Sequence, residues 1–378
     1  MKTVFMICPF AKPNVGGVES HLDKLTGYLS AKGYRVILVT YKPLTTRTKA
    51  KGYEKKGGVE IYRARWFGVG LFPRLEPYFP LVFLYLFPGL FFKSLLVYMR
   101  RRKEVDTVHA HGFVAAAVAR VILAFSRRRS VVSTHAIYNL RNRRFLAGII
   151  RRLLNGFDTI LAVGEPSRRE LVAIGLDPER IKVHPNWIDI KTFNPMDKDE
   201  CRRTLKISPE HFVVLFLGRM MEMKGVGVLL EAARRTRKDI RFVFVGDGPM
   251  AGAVKEAART DLKINYLGRL PDDGIIRAYN SADLFVSPVL YEEGFATVYL
   301  ESLACGTPVI TAKRGCLPFF LNWEVADLME EVNPEKVLDR IEFYFDNREE
   351  LQKRRHVCRS YAEKNFSEKN ADIIAGSY

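Results

Sequence analysis

Two glutamates in the second half of the chain have a spacing that suits a phosphorylated ligand. Glu293 lies just before a Gly-Phe turn, and Glu301 follows after seven intervening residues, within a segment that has helical signals from Thr297 to Ala304. A helix that begins after a glycine turn presents unpaired backbone N–H groups and the positive end of its dipole, and both attract anions. One carboxylate can then contact a group beside the anion while the other reaches further along the same ligand. The spacing by itself is also compatible with two surface glutamates.

Arg219 and Lys224 bring positive charge to a second loop. They follow an apolar run, 212–217, that predicts a buried strand, and Gly225 precedes the next helical segment. Two fixed cations beside a helix N-terminus stabilise the negative charge that develops on a phosphate when the bond to it breaks. The same two side chains could equally be solvated surface charges, so their spacing alone leaves both interpretations open.

Three histidines end predicted strands in the first half of the chain. His109 and His111 close one strand, and His135 closes the next. Ligands bind at the carboxyl ends of strands in open α/β sheets, so these imidazoles are candidates for substrate contacts. A zinc site would require a third ligand, and none lies near the pair in sequence. The five cysteines are scattered and lack C-x-x-C spacing, which indicates a reducing compartment and predicts no metal site.

The elements that must position these residues alternate between apolar strands and amphipathic helices. The run 4–7 leads through Gly16 and Gly17 into a segment with leucines at helical spacing, and 34–40 is the next strand. This strand, glycine loop, helix and strand form a Rossmann-like unit. The alternation continues to the end of the chain, which is long enough for two domains.

We predict three regions along the chain. Residues 1–185 form a first Rossmann-like domain, residues 186–360 a second Rossmann-like domain, and residues 361–378 a C-terminal helix. The apolar opening of the chain is too short for a secretory signal, so a cytoplasmic protein is expected.

Positive charge is concentrated in the first half of the chain. Residues 1–185 contain 32 Lys and Arg against 12 Asp and Glu, whereas the remainder contains 28 against 30, and the net charge is +18. This asymmetry predicts an anionic partner, either a nucleic acid or a membrane surface. No aromatic–basic recognition motif accompanies the charge, so we predict no nucleic-acid partner.

The segment 78–99 carries one charge, Lys93, and the basic residues 100–103 follow at once. Its length would allow a membrane span, but Lys93 and an expected break at Pro88-Gly89 argue against one. Amphipathic helices that lie on a bilayer or line a lipid groove are the favoured interpretation, with ordinary buried helices and a span as alternatives. Three further basic clusters either dock to anionic headgroups or form a solvated face. These clusters are residues 127–129, 141–144 and 151–152.

Several of these motifs together resemble family 4 of the retaining glycosyltransferases. Residues 293–309 match its donor-binding signature, E-G-F-G-x-x-x-x-E-A-x-A-x-G-x-P-V, except at Ala296 and Ser302. The family strings G-R-x-x-x-x-K-G and H-x-H-G are present at 218–225 and 109–112. The N-terminal string P-N-V-G-G-V-E-S-H is most similar to the N-acetylglucosaminyltransferases of glycosylphosphatidylinositol anchor synthesis.

The resemblance implies a role for each matching residue. Arg219 and Lys224 would hold the donor diphosphate, Glu293 the donor sugar and Glu301 the ribose hydroxyls. His111 would face the reacting sugar, so the implied catalytic set is His111, Glu293, Arg219 and Lys224. His135 would border the acceptor side. The implied donor-binding residues are Gly16, Gly17, Arg219, Lys224, Arg269, Leu270, Glu293, Gly294, Phe295, Ala296, Thr297 and Glu301.

The resemblance also implies the α/β GT-B fold, with two facing Rossmann-like domains, parallel sheets and an inter-domain cleft. By the same resemblance, residues 1–185 would bind the acceptor, residues 186–360 would bind the nucleotide sugar, and the helix over 361–378 would cross back to the first domain. The implied reaction moves a sugar, with retention, from a nucleotide diphosphate sugar, UDP-sugar favoured, to a membrane lipid or lipid-linked glycan. No carboxylate is well placed as a nucleophile, so we expect front-side attack assisted by the leaving phosphate. No metal and no cofactor are expected. The protein would associate peripherally with the anionic cytoplasmic face of a membrane.

Two departures from the family pattern keep an alternative open. Trp187 stands where the hinge motif usually has Gly, and residues 315–320 lack the usual Glu. The chain could therefore be a non-catalytic GT-B scaffold or a sugar-nucleotide-binding subunit of a membrane complex. An NAD dehydrogenase would need G-x-G-x-x-G after the first strand, and the sequence does not supply it.

Overall fold

The computed structural model describes residues 1–14, 16–46, 48–68, 70–75 and 78–378. Val15, within the predicted glycine turn, lies outside the described residues, as do Val69, Glu76 and Pro77. The side chains of Pro73, Phe79 and Arg141 are also outside the description. Phe79 belongs to the predicted apolar segment, and Arg141 belongs to one of the basic clusters.

The described residues alternate between strands and helices along the whole chain. The strands are β1 (Thr3–Ile7), β2 (Arg35–Tyr41), β3 (Tyr53–Lys56), β4 (Val59–Ala64), β5 (Thr107–His111), β6 (Arg129–Ser133), β7 (Thr159–Ala162), β8 (Ile181–Val183), β9 (Phe212–Leu217), β10 (Ile240–Val245), β11 (Ile264–Gly268), β12 (Leu284–Ser287), β13 (Val309–Ala312) and β14 (Ala326–Met329). The α-helices are α1 (Gly17–Ala31), α2 (Phe72–Leu75), α3 (Phe79–Arg101), α4 (Phe113–Leu123), α5 (Arg144–Leu154), α6 (Glu165–Ala173), α7 (Lys198–Thr204), α8 (Val226–Arg235), α9 (Ala251–Thr260), α10 (Asp272–Ser281), α11 (Thr297–Ala304), α12 (Leu317–Phe320), α13 (Pro334–Asp346), α14 (Arg348–Asn365) and α15 (Asn370–Ala375).

The chain divides into two compact units. The first contains residues 1–186 and 369–378, and the second contains residues 187–368. The first unit is built on an eight-stranded sheet of order β3-β4-β2-β1-β5-β6-β7-β8, parallel except for the β3–β4 hairpin. The second is built on a six-stranded parallel sheet of order β11-β10-β9-β12-β13-β14. The predicted α/β architecture with two parallel-sheet domains is therefore confirmed.

The strand composition explains why both sheets are parallel. All residues of β1 and of β9 are buried, and both strands are continuous apolar runs. Strands of this kind need helices on both faces of the sheet, and βαβ connections supply them. The helix predicted from Thr297 to Ala304 is also confirmed, as α11, and the strand β13 follows it.

In each sheet, successive βαβ units are added first to one side of the first strand and then to its other side, and the topological switch point lies between these two halves. In the first sheet this switch point lies between β1 and β5, and in the second it lies between β9 and β12. Loops that leave adjacent strands in opposite directions open a crevice at the carboxyl edge, where ligands bind in such folds. Several candidate residues of the sequence lie at these places: Gly16 and Gly17 follow β1, His111 ends β5, Arg219 and Lys224 follow β9, and Glu293 follows β12.

Helix α3 is continuous, so the predicted break at Pro88-Gly89 is wrong. The hydroxyl of Tyr41 accepts a hydrogen bond from the Leu90 N–H, at 2.6 Å, and donates to the Leu86 carbonyl. The Tyr41 hydroxyl thus bridges the Leu90 N–H and the Leu86 carbonyl, which would pair directly in a regular helix. Pro88 lacks an N–H and so removes a neighbouring helical hydrogen bond. The indole of Trp66 packs against Gly89, where a side-chain carbon would come within 2.5 Å of the ring. These contacts carry the helix through the expected break.

Helix α3 has one face in the core and one apolar face exposed. Leu86, Leu90 and Val97 are buried against the first sheet and α4. Among the described helices, Pro80–Arg101 has the length and composition that could cross a membrane, with a mean hydropathy of 1.8, and a third of that window is buried. A core helix of a soluble protein can satisfy the same criterion. The large apolar residues exposed on α3 are Leu81, Leu84, Phe92, Leu96 and Met99.

The single helix expected over 361–378 is also wrong, because the chain forms two helices there. Helix α14 ends at Phe366, whose backbone leaves helical geometry at φ −131°. The ring of Phe366 is buried beside Phe295 and Phe320 in the second unit. Helix α15 follows and packs within the first unit, where Tyr28 donates a hydrogen bond to Asp372. Burial of Phe366 therefore interrupts the helical pattern.

Candidate functional site

Five of the seven histidines converge in the first unit, and we call them the histidine cluster: His21, His109, His111, His135 and His184. His21 comes from α1, and the others lie at or just after the carboxyl ends of β5, β6 and β8. Parallel strands bring these ends to one edge of the sheet. Four of the five are buried and His135 is partly buried.

The two histidines of β5 have different surroundings. His109 hydrogen-bonds through Nδ1 with the Tyr378 hydroxyl and through Nε2 with Ser133 Oγ, both at 2.8 Å. His111 Nδ1 lies 3.2 Å from His135 Nε2, whereas His111 Nε2 is buried with no hydrogen-bond partner among the described residues. A neutral imidazole has one donor and one acceptor nitrogen. His111 thus keeps one unused hydrogen-bonding group, and His109 keeps none.

His184 is a candidate that sequence reasoning missed. Its side chain is fully buried, and within the described part of the chain neither ring nitrogen has a hydrogen-bond partner. Its ring centroid lies 5.6 Å from that of His21. The available signal was its position directly after β8, at the same end of a strand as His111, the last residue of β5, and His135, which follows β6.

Burial keeps the cluster neutral near physiological pH. Desolvation lowers the pKa of His21 to about 4 and the pKa of His135 to about 3. The pKa values of His109, His111 and His184 lie well below the ordinary value, first because of burial and then because of repulsion from neighbouring imidazoles. The described residues contain no group of three His, Cys, Asp or Glu arranged to hold a metal ion. The cluster therefore offers neutral hydrogen-bonding groups to a ligand.

The predicted glycine turn lies after β1 of the same sheet. Gly16 and Gly17 are exposed, and α1 begins at Gly17 without a side-chain cap. A side-chain carbon at Gly16 would come within 2.4 Å of a Glu19 carboxylate oxygen. Burial raises the pKa of Glu19. An acidic group thus lies beside the turn, and diphosphate contact at Gly16 and Gly17 stays a prediction.

Two loops meet at the switch point of the second sheet. The loop after β9 carries Arg219 and Lys224, and the loop after β12 leads to Glu293. Gly225 has φ +78°, and a side-chain carbon there would come within 2.0 Å of the Pro288 carbonyl oxygen. Glycine is therefore required for the close approach of the loops. The Leu290 N–H also donates to the Met223 carbonyl across this contact, at 2.8 Å.

Lys224, Tyr291 and Glu293 form one contact group, which we call the ion-pair cluster. The Lys224 ammonium donates to the buried Glu293 carboxylate and, at 2.5 Å, to the Tyr291 hydroxyl. It also lies 4.9 Å from the centre of the Tyr291 ring, within cation–π range. Burial, followed by the charge of Glu293, raises the pKa of Tyr291, which stays a neutral phenol. Tyr291 was not predicted as a site residue.

The loop that departs from the family pattern supports Glu293. The Cys316 N–H donates to the Glu293 carbonyl at 2.8 Å, and the Gly315 N–H donates to the Glu292 carboxylate at 2.6 Å. Gly315 has φ +58°, and a side-chain carbon there would come within 2.1 Å of the Glu293 carbonyl oxygen. The residues that replace the family motif therefore fix the backbone of a predicted catalytic residue.

Glu301 lies inside α11, whose first residue is Thr297. It accepts a hydrogen bond from the buried Tyr279 hydroxyl at 3.1 Å. Ala296 precedes the helix and provides no side-chain cap for its first N–H groups. An uncapped helix N-terminus that follows Gly294 and begins four residues after Glu293, the ion-pair partner of Lys224, has the features of an anion site.

The remaining donor candidates differ in their surroundings. Arg219 is exposed and forms no ion pair with any described residue, so it is available to an anion. Arg269 is exposed and pairs with Asp247 at 3.1 Å, while Leu270 beside it is partly buried. The ring of Phe295 is buried and stacks on Phe320 at a centroid distance of 4.0 Å. The backbone is therefore the part of Phe295 that a ligand could contact.

Trp187, which the sequence marked as a departure at the hinge, is the first residue of the second unit and is only 3% exposed. The next residue, Ile188, donates from its N–H to the Phe366 carbonyl at 2.9 Å.

Comparisons with known proteins agree with this architecture. A family model described as Glycosyltransferase Family 4 matches residues 15–192, and one described as Glycosyl transferases group 1 matches residues 197–365. The phosphatidylinositol N-acetylglucosaminyltransferase GPI3 subunit of Saccharomyces cerevisiae is 24% identical over 344 residues, which cover 87% of this chain and 72% of the yeast protein.

Solved structures show the same fold. Sucrose-phosphate synthase from Thermosynechococcus elongatus superposes with a TM-score of 0.83 at 16% identity, covering all of this chain and 98% of the synthase. Anabaena HepE, determined in complex with UDP-glucose, superposes with a TM-score of 0.76 at 18% identity, with complete coverage of both chains. Identities this low are informative about the fold alone. The chain belongs to the glycosyltransferases, with a family 4 domain followed by a group 1 domain in the GT-B fold.

Proposed function

We propose that this glycosyltransferase moves a sugar, with retention, from a UDP-sugar to a hydroxyl group of a membrane lipid or lipid-linked glycan. The observation that carries the proposal is the ion-pair cluster, Lys224 with Tyr291 and Glu293, at the switch point of the second sheet. The structural relative crystallised with UDP-glucose supports a UDP-sugar donor. The yeast relative, named for N-acetylglucosaminyl transfer to phosphatidylinositol, supports an N-acetylhexosamine and a lipid acceptor.

The donor would be held by the second unit. Lys224 and the exposed Arg219 would contact the diphosphate, the uncapped start of α11 would add its N–H groups, and Glu301 would bind the ribose hydroxyls. Negative charge grows on the β-phosphate as the glycosidic bond breaks, and fixed cations stabilise it. Donor binding would then exchange the Lys224–Glu293 contact for a Lys224–phosphate contact, which frees Glu293 to bind sugar hydroxyls.

The first unit would bind the neutral reacting groups. His111 Nε2 and the two nitrogens of His184 need hydrogen-bond partners, and sugar or inositol hydroxyls can both donate and accept. In front-side attack, the acceptor oxygen bonds to the anomeric carbon of the donor sugar on the same face from which the phosphate departs. The acceptor proton passes to the departing phosphate oxygen. Neutral imidazoles suit this step, since a nearby positive charge would compete for the diphosphate.

The membrane side of the proposal is carried by α3. Its exposed apolar face is followed by the exposed basic residues Arg100, Arg102 and Lys103, a combination that suits peripheral attachment to an anionic cytoplasmic membrane surface. The name of the yeast relative includes the word subunit, which supports the alternative that the chain acts within a complex or only binds the sugar nucleotide.

The first experiment is thermal stabilisation by UDP, GDP and ADP, each with magnesium and with EDTA. We expect stabilisation by UDP in both conditions and its loss in Lys224→Met. Lys238→Met is a matched control, because Lys238 forms ion pairs near the opposite, amino edge of the same sheet.

Transfer is then measured with UDP-N-acetylglucosamine and phosphatidylinositol vesicles, and NMR of the product gives the anomeric configuration. UDP binding without transfer to any lipid would favour the sugar-nucleotide-binding subunit. A covalent glycosyl–protein adduct would contradict front-side attack.

A further inference from the structure

The first unit contains a groove that neither the histidine cluster nor the glycine turn uses. It has a volume of ≈ 1010 Å³ and runs along β4, between the end of β2 and the second half of α3. We call it the β4–α3 groove. Its cationic lining residues are Lys42, Arg63, Arg65, Lys93, Arg100 and Arg101.

The single acidic residue of the groove lining is already neutralised. Glu60 is buried and accepts hydrogen bonds from Arg35, Arg101 and the Tyr62 hydroxyl. Arg63 is likewise engaged, since it forms an ion pair with Glu54 at 2.9 Å. Glu60 is therefore unavailable to the other cations of the groove.

Four cations of the lining remain without an acidic partner. Within the part of the chain that the structure describes, Lys42, Arg65, Lys93 and Arg100 form no ion pair. Like charges that line one concave surface repel each other and raise the local concentration of anions. The groove thus has the charge of an anion site that its own protein does not fill.

The same groove has an aromatic floor and an apolar rim. Trp66 forms part of the floor, fixed by its packing on Gly89 and by the hydrogen bond from its Nε1 to the Tyr85 carbonyl, at 2.9 Å. Phe92 and Leu96 line the groove from α3 and are exposed, Phe92 by 69%. They continue the exposed apolar face of α3. A partner must therefore be negatively charged at one end and apolar at the other.

We propose that the β4–α3 groove binds the phosphate headgroup of an anionic membrane lipid whose acyl chains lie against Phe92 and Leu96. A soluble anion would leave the apolar rim exposed, and a nucleic-acid backbone would place phosphates against it. This lipid is distinct from the sugar acceptor, because none of the lining residues belongs to the histidine cluster or the ion-pair cluster. The inference rests on the proposed membrane association but not on the identity of the donor.

The test is flotation of the full chain with vesicles of phosphatidylcholine, with and without 20 mol% phosphatidylglycerol. The variant Arg65→Gln/Lys93→Gln should bind the anionic vesicles about 30-fold more weakly, as expected for ~1 kcal/mol per basic residue near such a surface. The charge-matched control Lys255→Gln/Arg259→Gln, on α9 of the second unit, should bind as the wild type does. Stabilisation by UDP should be unchanged in both variants, which separates this inference from the donor proposal.

A second pair of substitutions tests the apolar rim. Phe92→Ser/Leu96→Ser should lower vesicle binding at low and at high salt, whereas the effect of the cationic variant should disappear at high salt because screening removes it. Equal losses in the control and the cationic variant would overturn the proposal. Tight binding of soluble glycerol phosphate with no preference for vesicles would also overturn it. The proposal would fail as well if Arg65→Gln/Lys93→Gln lost more affinity for single-stranded RNA than for anionic vesicles.

Discussion

The histidine cluster and the ion-pair cluster occupy equivalent places in two similar sheets, yet they are chemically opposite. The first unit gathers five imidazoles whose burial lowers their pKa values, and nitrogens of His111 and His184 have no partner among the described residues. The second unit gathers a cation and a carboxylate that contact each other through Lys224 and Glu293. One cluster is neutral with unused hydrogen-bonding groups, and the other is charged and internally compensated.

This difference matches the two kinds of group that a sugar transfer must bind. A diphosphate needs fixed positive charge, and a protein without ligand must neutralise that charge, which Glu293 does for Lys224. Hydroxyl groups need neutral donors and acceptors, and buried imidazoles provide both. The sheet topology fixes where each cluster lies, and under the proposed function the residue types set which substrate group each would bind.

Acid should affect the histidine cluster more than any other part of the protein. The unfolded chain protonates its histidines below pH ~6.5, whereas the folded cluster stays neutral down to about 4 for His21 and about 3 for His135. The unfolded state then binds more protons, so stability falls as the pH decreases through this range. From pH 7 to pH 5 we expect a loss of ~2 kcal/mol for each histidine that stays neutral.

Urea unfolding at pH 7, 6 and 5 measures this dependence. His21→Gln should reduce the slope, and His356→Gln, an exposed histidine on α14, is the control. A stability that does not change between pH 7 and pH 5 would show that the cluster is accessible to protons in the folded state.

Lys224→Met should produce the largest loss of catalysis. Removal of one preorganised group that stabilises transition-state charge costs roughly 10²–10³-fold in kcat. The same change leaves the Glu293 carboxylate buried without its cation, which lowers stability by about 3 kcal/mol. Sugar transfer and urea unfolding are measured on the same preparation.

The double variant Lys224→Met/Glu293→Gln separates these two effects. Stability should recover because no buried charge remains unpaired, while transfer stays low. Recovery of both would mean that Lys224 acts only by compensating Glu293, and the two clusters would no longer differ in function.

His184→Leu should have a smaller effect than Lys224→Met. It should raise the stability and lower the activity. A buried polar group with no partner costs about 1–3 kcal/mol, so its removal should raise the free energy of unfolding by about 1 kcal/mol. If His184 binds the acceptor, KM for the acceptor should rise while stabilisation by UDP stays unchanged. An unchanged KM would assign His184 to the core instead.

Sequence reasoning located the strands that carry or precede the candidate residues, because buried parallel strands are continuous apolar runs and ligands bind at their carboxyl ends. It failed where distant residues complete an element. Helix α3 continues through Pro88 because the Tyr41 hydroxyl substitutes for a helical hydrogen bond, and helix α14 ends because Phe366 is buried beside Phe295 and Phe320. Neither contact has a local signal.

The same limit explains the residues missed in the two clusters. Tyr291 precedes the recognised Glu293 by two residues, yet its importance comes from Lys224, which lies on a loop 67 residues away in sequence. His184 stands directly after a strand, but its burial and its distance from His21, which make it a candidate, are known only from the structure. The roles of the matched residues toward substrates, and the cleft expected between the domains, stay predictions.

Tyr291→Phe removes the fewest atoms of these substitutions and is the finest test of the comparison. The substitution removes the hydroxyl that Lys224 contacts at 2.5 Å and keeps the ring that lies 4.9 Å from the ammonium. Tyr291 is a positioning residue if this hydroxyl holds Lys224 and Glu293 in place, so KM for the donor should rise about 10-fold, the equivalent of one lost hydrogen bond to a charged group, with little change in kcat. Tyr291→Leu removes the ring as well and should lower kcat in addition. If Phe and Leu behave alike, the cation–π contact contributes nothing, and the ion pair alone defines the charged cluster.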